Sequence, residues 1–115
     1  LPLGRIILGG FSQGAMLATD VALRLEEAPG GLCVLSGTLL LEDVWRTKAR
    51  ARAGLPVFQS HGREDPILPF RASELLRDLF MEAGMQHEFV PFEGGHTIGE
   101  SALLKLGDFL ARRLP

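Results

Sequence analysis

The sequence predicts an α/β fold in which four parallel strands alternate with helices. Short apolar runs bounded by glycine or polar residues recur along the chain, and each is followed by a segment with helical spacing of its apolar residues. Such alternation is typical of βαβ units, whose strands form a parallel sheet with right-handed crossovers. The length of 115 residues and the 46% hydrophobic content favour a single domain over residues 1–115. Ligands of such sheets bind at the carboxyl ends of the strands, so the loops there are the candidates for chemistry.

The first half of the chain contains two predicted strands, each followed by a helical segment. The run "LGRIILGG" is apolar and bounded by glycine, which favours a buried parallel strand. Helical spacing of Leu17, Val21 and Leu25 beside several alanines predicts a helix packed closely on the sheet as far as "EEAPGG". The run "LCVLSG" predicts the second strand, and "LLLEDVWRTKARARAG" predicts an irregular apolar segment and a short helix closed by Gly54.

The second half repeats the pattern with the third and fourth strands. We predict these strands at "LPVFQSHG" and "QHEFVPF". Between them Gly84 is suited to end a helix that starts near Phe70. The apolar stripe of that helix is Ala72, Leu75, Leu76, Leu79, Phe80 and Ala83. The closing helix is marked by Leu103, Leu106, Leu110 and Leu114.

Charge and hydropathy argue against two classes of partner. The net charge is −2 and the basic residues are scattered, so we expect no nucleic-acid partner. We interpret the one basic cluster, "RTKARAR", as a solvated helix face. The longest nearly apolar stretch, "LCVLSGTLLL", is well short of the ~20 residues that span a bilayer, so we expect no membrane span.

The start of the chain and its lone cysteine bear on localisation. The sequence has no N-terminal export pattern, and we expect a cytoplasmic protein. Cys33 excludes an intrachain disulfide, and its apolar surroundings favour a buried small hydrophobe. Because the sequence begins at Leu1 and enters a strand almost at once, we expect the domain to be N-terminally incomplete.

The stretch "GFSQG" is a G-x-S-x-G motif that follows a predicted strand and opens a predicted helix. This is the context of a nucleophile elbow, a sharp turn that exposes a serine above the sheet edge with strained backbone angles. We expect Gly10 and Gly14 to remove side-chain clashes at this turn around Ser12. The alternative interpretation is a glycine-rich turn in which the Ser12 hydroxyl caps the helix.

A serine nucleophile needs a base to take its proton. His96 lies in the loop "EGGHT" after the last strand, where paired glycines let the loop reach across the strand ends, and we choose it as the base. His61 ends the third strand in "SHG", where a structural hydrogen-bonding role is favoured. His87 begins a strand, and we expect it to be exposed.

The base in turn needs an orienting acid, which the loop "REDPILP" offers. Glu64 and Asp65 both lie there, and we choose Asp65 because Pro66 fixes its backbone. Asp43 is the reserve candidate after the second strand, whereas Asp20, Asp78 and Asp108 fall within predicted helices. The order Ser12, Asp65, His96 is the order expected of α/β-hydrolases.

The oxyanion of an acyl-transfer intermediate needs two or more N–H donors. The backbone N–H of Gln13, directly after the serine, is one predicted donor. The second comes from a loop after an earlier strand in this fold, and we predict no strand before "RIILGG".

With "GFSQGA", "LSGTLL", "HGREDPILP" and "GGHT" in this order, the chain resembles the carboxylesterase/phospholipase branch of the α/β-hydrolases, which includes acyl-protein thioesterases. The likeness covers the half of that fold from the nucleophile strand onward. It implies Ser12 as nucleophile, Asp65 as orienting acid and His96 as base. The acyl pocket that it implies consists of Thr38, Leu39 and Ile67, although "TLLL" stands where the family usually has a Leu-Pro step.

These motifs lead us to expect a serine hydrolase that cleaves carboxylic esters or thioesters of small to medium acyl chains through an acyl-enzyme. We expect no cofactor and no metal, since the sequence has no His/Cys ligand cluster and no G-x-G-x-x-G. The alternatives are a catalytically incomplete fragment or interaction module, and another α/β-hydrolase chemistry such as that of a phospholipase, lysophospholipase or peptidase. A homodimer, or pairing with a missing N-terminal half, is the expected protein partnership, because the first strand would otherwise expose an apolar edge.

Overall fold

The computed structural model describes residues 2–113, so the predicted helical position Leu114 lies outside the described residues. Four strands alternate with four α-helices, as predicted. The strands are β1 (Ile7–Phe11), β2 (Gly31–Leu35), β3 (Pro56–Gly62) and β4 (Gln86–Phe92). The helices are α1 (Gln13–Arg24), α2 (Glu42–Ala49), α3 (Phe70–Glu82) and α4 (Glu100–Arg113). Leu3–Arg5, which we assigned to the first strand, forms a short 3-10 helix instead.

The strands form one parallel sheet in the order β1-β2-β3-β4. The last residues of neighbouring strands lie side by side, with Phe11 beside Leu35 and Gly62 beside Phe92. The loops that follow the strands therefore all start at the same end of the sheet, where the strands have their carboxyl ends. Within residues 2–113, β1 pairs with β2 alone and is an edge strand.

Alternation of side chains along the strands divides the buried residues into two clusters, one on each face of the sheet. On one face Leu32, Val34 and Val57 pack with residues of α1, α2 and α3, including Trp45 and Phe80. On the other face α4 contributes Ala102 and Phe109, and they pack with strand residues, namely Cys33, Leu35, Phe58, Val90 and Phe92. β2 is buried along its whole length, as expected for the strand between two neighbours.

Helix α1 packs on the sheet as predicted, but Leu17 and Val21, which marked its spacing, lie outside the contact. Its buried residues are Ala15, Thr19, Ala22 and Leu23, whereas Leu17 and Val21 are 65% and 38% exposed. The predicted close packing is confirmed, since small side chains such as Ala15 and Ala22 let the helix approach the sheet closely. Leu17 and Val21 form an apolar surface on the exposed side of α1.

The other helices follow their predicted stripes in part. In α3 the predicted positions Leu76, Leu79 and Phe80 are buried, but Leu75 is exposed. In α4 the residues that face the sheet are Ala102 and Phe109, with Leu106 and Leu110 packed against them, and Leu103 is exposed. Gly84 follows α3 with a positive φ of 77°, the conformation predicted for the residue that ends this helix.

Two polar residues depart from the expectation of exposure. Arg52, in the predicted solvated cluster, is buried because its guanidinium donates hydrogen bonds to the carbonyl oxygens of Ala22 and Glu27. His87 is half-buried rather than exposed, with Nε2 2.7 Å from Gln59 Oε1. Gln59 in turn donates to the carbonyl of Ser73 at 2.8 Å, which links β4 and β3 to α3.

Burial also shifts the pKa values of two side chains, Cys33 and His87. Burial raises the pKa of the Cys33 thiol to about 11, so this cysteine stays protonated and unreactive. Burial, together with the nearby Arg77 guanidinium, lowers the pKa of His87 from 6.5 to about 4. The imidazole is therefore neutral in the folded chain at neutral pH. Among residues 2–113, no helix has the length and apolar character that a membrane crossing requires.

The lowered pKa of His87 predicts a pH-dependent contribution to stability. Between pH 6.5 and about 4 the unfolded chain binds a proton at His87 and the folded chain does not. The contribution is therefore complete above pH 6.5 and is lost as the pH falls through about 4. At this half-buried site we expect a loss of about 1–2 kcal/mol after allowance for solvent screening.

His87→Gln, which keeps an N–H donor but does not titrate, tests this expectation. Urea unfolding from pH 7 to pH 4 should show a smaller loss of unfolding free energy in the variant than in the wild type. The carboxylates are the same in both chains, so their contribution to the pH dependence of the unfolding free energy cancels in this comparison. Parallel pH curves for the two chains would contradict the assignment.

Candidate active site

The turn between β1 and α1 holds Ser12 in an unusual backbone conformation. Its φ is 59° and its ψ is −121°, in the positive-φ region that side-chain-bearing residues rarely adopt. The Ser12 N–H donates to the carbonyl of Leu35 at 2.8 Å, which ties the turn to the end of β2. The Ser12 hydroxyl makes no capping hydrogen bond to α1, so the alternative interpretation as a helix cap was wrong.

The two glycines of the G-x-S-x-G motif have different roles. A Cβ on Gly10 would lie 2.3 Å from the carbonyl oxygen of Gly14, so the turn cannot close with any side chain at position 10. A Cβ on Gly14 would meet nothing within 4 Å. The prediction of a clash at Gly14 was therefore wrong. The crowding lies between the Cα of Gly10 and the backbone carbonyl of Gly14, and a side chain on Gly14 itself would point into open space.

Asp65 lies in the loop after β3, with its carboxylate surrounded by N–H groups. Its Oδ1 accepts hydrogen bonds from the backbone N–H groups of Ile67 and Leu68, both at 2.8 Å. Its Oδ2 lies 2.7 Å from His96 Nδ1. Burial raises the pKa of Asp65, but the hydrogen bonds from Leu68, His96 and Ile67 outweigh that effect, and the pKa lies below its ordinary value. The carboxylate is therefore ionised at neutral pH.

The loop after β4 carries His96 and lies directly against the loop after β3. Backbone hydrogen bonds from Arg63 to Phe92 at 2.9 Å and from Glu64 to Gly94 at 3.0 Å join the two loops. A Cβ on Gly62 would lie 2.3 Å from the carbonyl oxygens of Gly94 and Gly95, so only glycine permits this approach.

Two further contacts hold the His96 loop over the sheet. Ser36, at the end of β2, has a φ of 55° and donates from Oγ to the carbonyl of Thr97 at 3.2 Å. The ring of Phe11 packs against the ring of His96 with 5.0 Å between centroids. Sequence reasoning missed Ser36, because nothing in "LSG" indicates a positive φ or a partner 61 residues away.

The three predicted side chains lie together in one hydrogen-bonded line. His96 Nε2 is 2.8 Å from Ser12 Oγ, and His96 Nδ1 is 2.7 Å from Asp65 Oδ2. Because the ionised Asp65 only accepts, Nδ1 carries the proton and Nε2 is free to accept the Ser12 hydroxyl proton. The line can therefore activate the serine as a nucleophile. The alternative acids Glu64 and Asp43 are exposed, and the bond to His96 is made by Asp65.

Gln13 is the first residue of α1, directly beside Ser12. The first N–H groups of a helix have no acceptor within the helix, and the helix dipole gives that end a partial positive charge. The Gln13 N–H is thus available to an anion beside Ser12. Its role as an oxyanion donor stays a prediction.

An apolar groove with a volume of about 770 Å³ runs beside Ser12. Of the predicted pocket residues, Ile67 lines this groove, whereas Thr38 is buried and Leu39 packs against the larger core cluster. The neighbouring Leu40 and Leu41 take their place because the segment after β2 turns its next two side chains outward. The described lining is Ser12, Gln13, Gly14, Met16, Leu17, Asp20, Leu40, Leu41, Ile67 and Leu68.

Comparison with known proteins places this arrangement in a family. The sequence matches the phospholipase/carboxylesterase family over residues 1–114. The chain belongs to the phospholipase/carboxylesterase family. It is 33% identical to acyl-protein thioesterase 1 of Neurospora crassa, over 100% of this chain and 49% of that protein. It is 36% identical to acyl-protein thioesterase 1 of Eremothecium gossypii, over 90% of this chain and 45% of that protein.

Two solved structures share the fold. The chain superposes on the crystal structure of esterase PE8 with a TM-score of 0.90 and 30% identity, which covers 99% of this chain and 53% of the other. For Arabidopsis thaliana SOBER1 the TM-score is 0.88 with 27% identity, and the match covers 100% of this chain and 56% of the other. This member of the phospholipase/carboxylesterase family thus has the four-stranded half of an α/β-hydrolase fold. It spans about half the length of the curated relatives it matches.

The different surroundings of Gly10 and Gly14 predict opposite effects of one substitution. Gly10→Ala places a methyl group against the backbone of Gly14 and should lower the unfolding free energy by about 2 kcal/mol or more. Gly14→Ala, the matched control, enters open space in a helix and should change it by less than about 1 kcal/mol, toward greater stability. Chemical denaturation of both variants measures the difference, and equal destabilisation by the two would refute the assignment.

Proposed function

We propose that this chain carries the nucleophile, base and acid of a serine hydrolase that cleaves carboxylic esters or thioesters. The observation that carries the proposal is the line of two hydrogen bonds from Ser12 through His96 to Asp65. The order of the three residues supports the same proposal, since each follows a different strand in the order typical of α/β-hydrolases. Family membership supports the same chemistry.

In the proposed acylation step, Ser12 Oγ attacks the carbonyl carbon of the substrate while its proton passes to His96 Nε2. The imidazolium that forms lies between Ser12 and the ionised Asp65, which stabilises its charge. Collapse of the intermediate breaks the bond to the alcohol or thiol, and the leaving group takes the proton from Nε2. Water repeats the sequence on the acyl-serine, releases the acid and restores Ser12.

The developing oxyanion needs donors that face the reacting carbon. The N–H of Gln13 supplies one of them, at the positive end of α1. Loss of a single oxyanion donor costs on the order of 10²–10³ in kcat, so a further donor matters to the rate. We propose that a segment outside these 115 residues, or a second copy of the chain, supplies it.

The groove beside Ser12 supports the proposed substrate class. Leu17, Leu40, Leu41 and Ile67 give it apolar walls that begin at the nucleophile and suit an acyl chain. Its volume of about 770 Å³ lies in the range of pockets that hold small-molecule ligands, so an acyl group can be accommodated. The relatives named acyl-protein thioesterase 1 favour thioesters as one of the substrate types.

The alternative proposal is a catalytically incomplete fold or interaction module. It is favoured by the edge position of β1 within residues 2–113 and by the apolar surface of Leu17 and Val21 on α1. An open strand edge is a site for pairing with another strand. On this view the site becomes active only when a partner covers that edge.

Labelling with a fluorophosphonate separates the two proposals, because the probe reacts only with an activated serine. The hydrolase proposal predicts one label per wild-type chain and no label on Ser12→Ala. It also predicts that p-nitrophenyl ester turnover by Ser12→Ala falls to background, a loss on the order of 10³-fold or more. Circular dichroism checks that both chains are folded.

Ser101→Ala is the matched control, since Ser101 is an exposed serine of α4 outside the proposed site. This variant should be labelled at the wild-type rate. A folded wild-type chain that takes no label would favour the incomplete fold, and a label retained on Ser12→Ala would exclude Ser12 as the nucleophile.

A further inference from the structure

His61 is a fully buried histidine that the proposed mechanism does not use. It lies near the end of β3, between the sheet and the loop that carries Asp65. One edge of its ring meets the ring of Phe70 with 6.1 Å between centroids. A buried polar ring in this position needs partners for its two nitrogens, and those partners define what it does.

The surroundings of His61 select one tautomer. Its Nε2 is 2.7 Å from the carbonyl oxygen of Leu68 and 3.3 Å from Oδ2 of the ionised Asp65. Both oxygens are acceptors, so Nε2 carries the proton and donates it to Leu68. Its Nδ1 is buried without a hydrogen-bond partner among the described residues. A proton on Nδ1 would have no acceptor, so the tautomer that carries its proton on Nε2 is favoured.

Both backbone polar groups of Leu68 are held by hydrogen bonds. Its carbonyl accepts from His61 Nε2, and its N–H donates to Asp65 Oδ1 at 2.8 Å. His61 thus fixes the turn 65–68 to β3. The N–H groups of this turn hold the Asp65 carboxylate. The 3.3 Å contact places the partial positive charge of the same N–H beside Oδ2, the oxygen that binds His96.

We propose that His61 is a positioning residue for Asp65: its Nε2–H holds the turn 65–68 and the Asp65 carboxylate in the orientation that binds His96. This proposal rests on the proposed hydrolase function for its kinetic consequence, but its structural content does not. A carboxylate released from this orientation still ionises, yet it no longer fixes the His96 ring for proton transfer. Small displacements of this kind cost on the order of 10²-fold in rate.

Two variants of similar size separate the effect of the His61 hydrogen bond from the effect of filling its space. His61→Met fills the space without a donor, and His61→Gln offers an N–H at a similar distance from the backbone. We expect His61→Met to lower kcat for ester hydrolysis on the order of 10- to 100-fold with KM nearly unchanged, because the loss affects the transition state alone. His61→Gln should recover most of the lost kcat.

Histidine ring ¹⁵N NMR supplies a readout that needs no activity. In the wild type we expect His61 with its proton on Nε2 and His96 with its proton on Nδ1. In His61→Met the His96 ring should shift to a mixture of tautomers, and in His61→Gln it should stay on Nδ1. The wild-type spectrum alone tests the assignment if a variant fails to fold.

The outcomes distinguish this proposal from the proposed function. A wild-type chain that neither hydrolyses esters nor takes the fluorophosphonate would overturn the hydrolase function, while the NMR spectra still decide on His61. Protonation of His61 on Nδ1 in the wild type would overturn the positioning role. So would a folded His61→Met chain with unchanged His96 tautomer and unchanged kcat, or a folded His61→Gln chain as impaired as His61→Met.

Discussion

The hydrogen bond between His96 and Asp65 is the interaction on which the site depends. It joins the loop after β4 to the loop after β3, and it orients the ring whose other nitrogen meets Ser12. A buried carboxylate is unfavourable unless donors surround it, and here the backbone of Ile67 and Leu68 supplies two of them. The ionised Asp65 then fixes the tautomer of His96, and that tautomer lets Nε2 accept from Ser12.

The parallel sheet makes this contact geometrically available. Neighbouring strands end side by side, so residues as far apart in sequence as Ser12 and His96 leave the sheet at the same edge. The remaining distance is closed by glycines: Gly10 permits the turn at Ser12, and Gly62 permits the approach of the His96 loop. The apolar groove beside Ser12 is the binding site that the proposed function assigns to the acyl chain.

Much of this fold was predictable because strand and helix periodicities are local. The run "QHEFVPF" corresponds to β4 in full, and the order of Ser12, Asp65 and His96 indicated which loops meet. Which face of α1 packs on the sheet was not predictable from hydrophobicity, because Ala15 and Ala22 are buried for their small size while Leu17 faces outward. The hydrogen-bonding role predicted for His61 is confirmed by its contact with the Leu68 carbonyl. No spacing rule identifies Leu68 as that partner, or Gln59 as the partner of the half-buried His87. The groove is lined by Leu40 and Leu41 and not by the predicted Thr38 and Leu39. The sequence could not show this, because the path of an irregular segment has no periodic signal.

The central claim is that Ser12 becomes covalently acylated during turnover. The most direct measurement mixes the chain with p-nitrophenyl butyrate, quenches the reaction in acid at times from milliseconds to minutes, and determines the mass of the peptide that contains Ser12. The account predicts a butyryl group on Ser12 that appears with the release of p-nitrophenolate and is then lost to water. Absence of any acyl group on Ser12 at every quench time, in a chain that is folded and releases p-nitrophenolate, would contradict it.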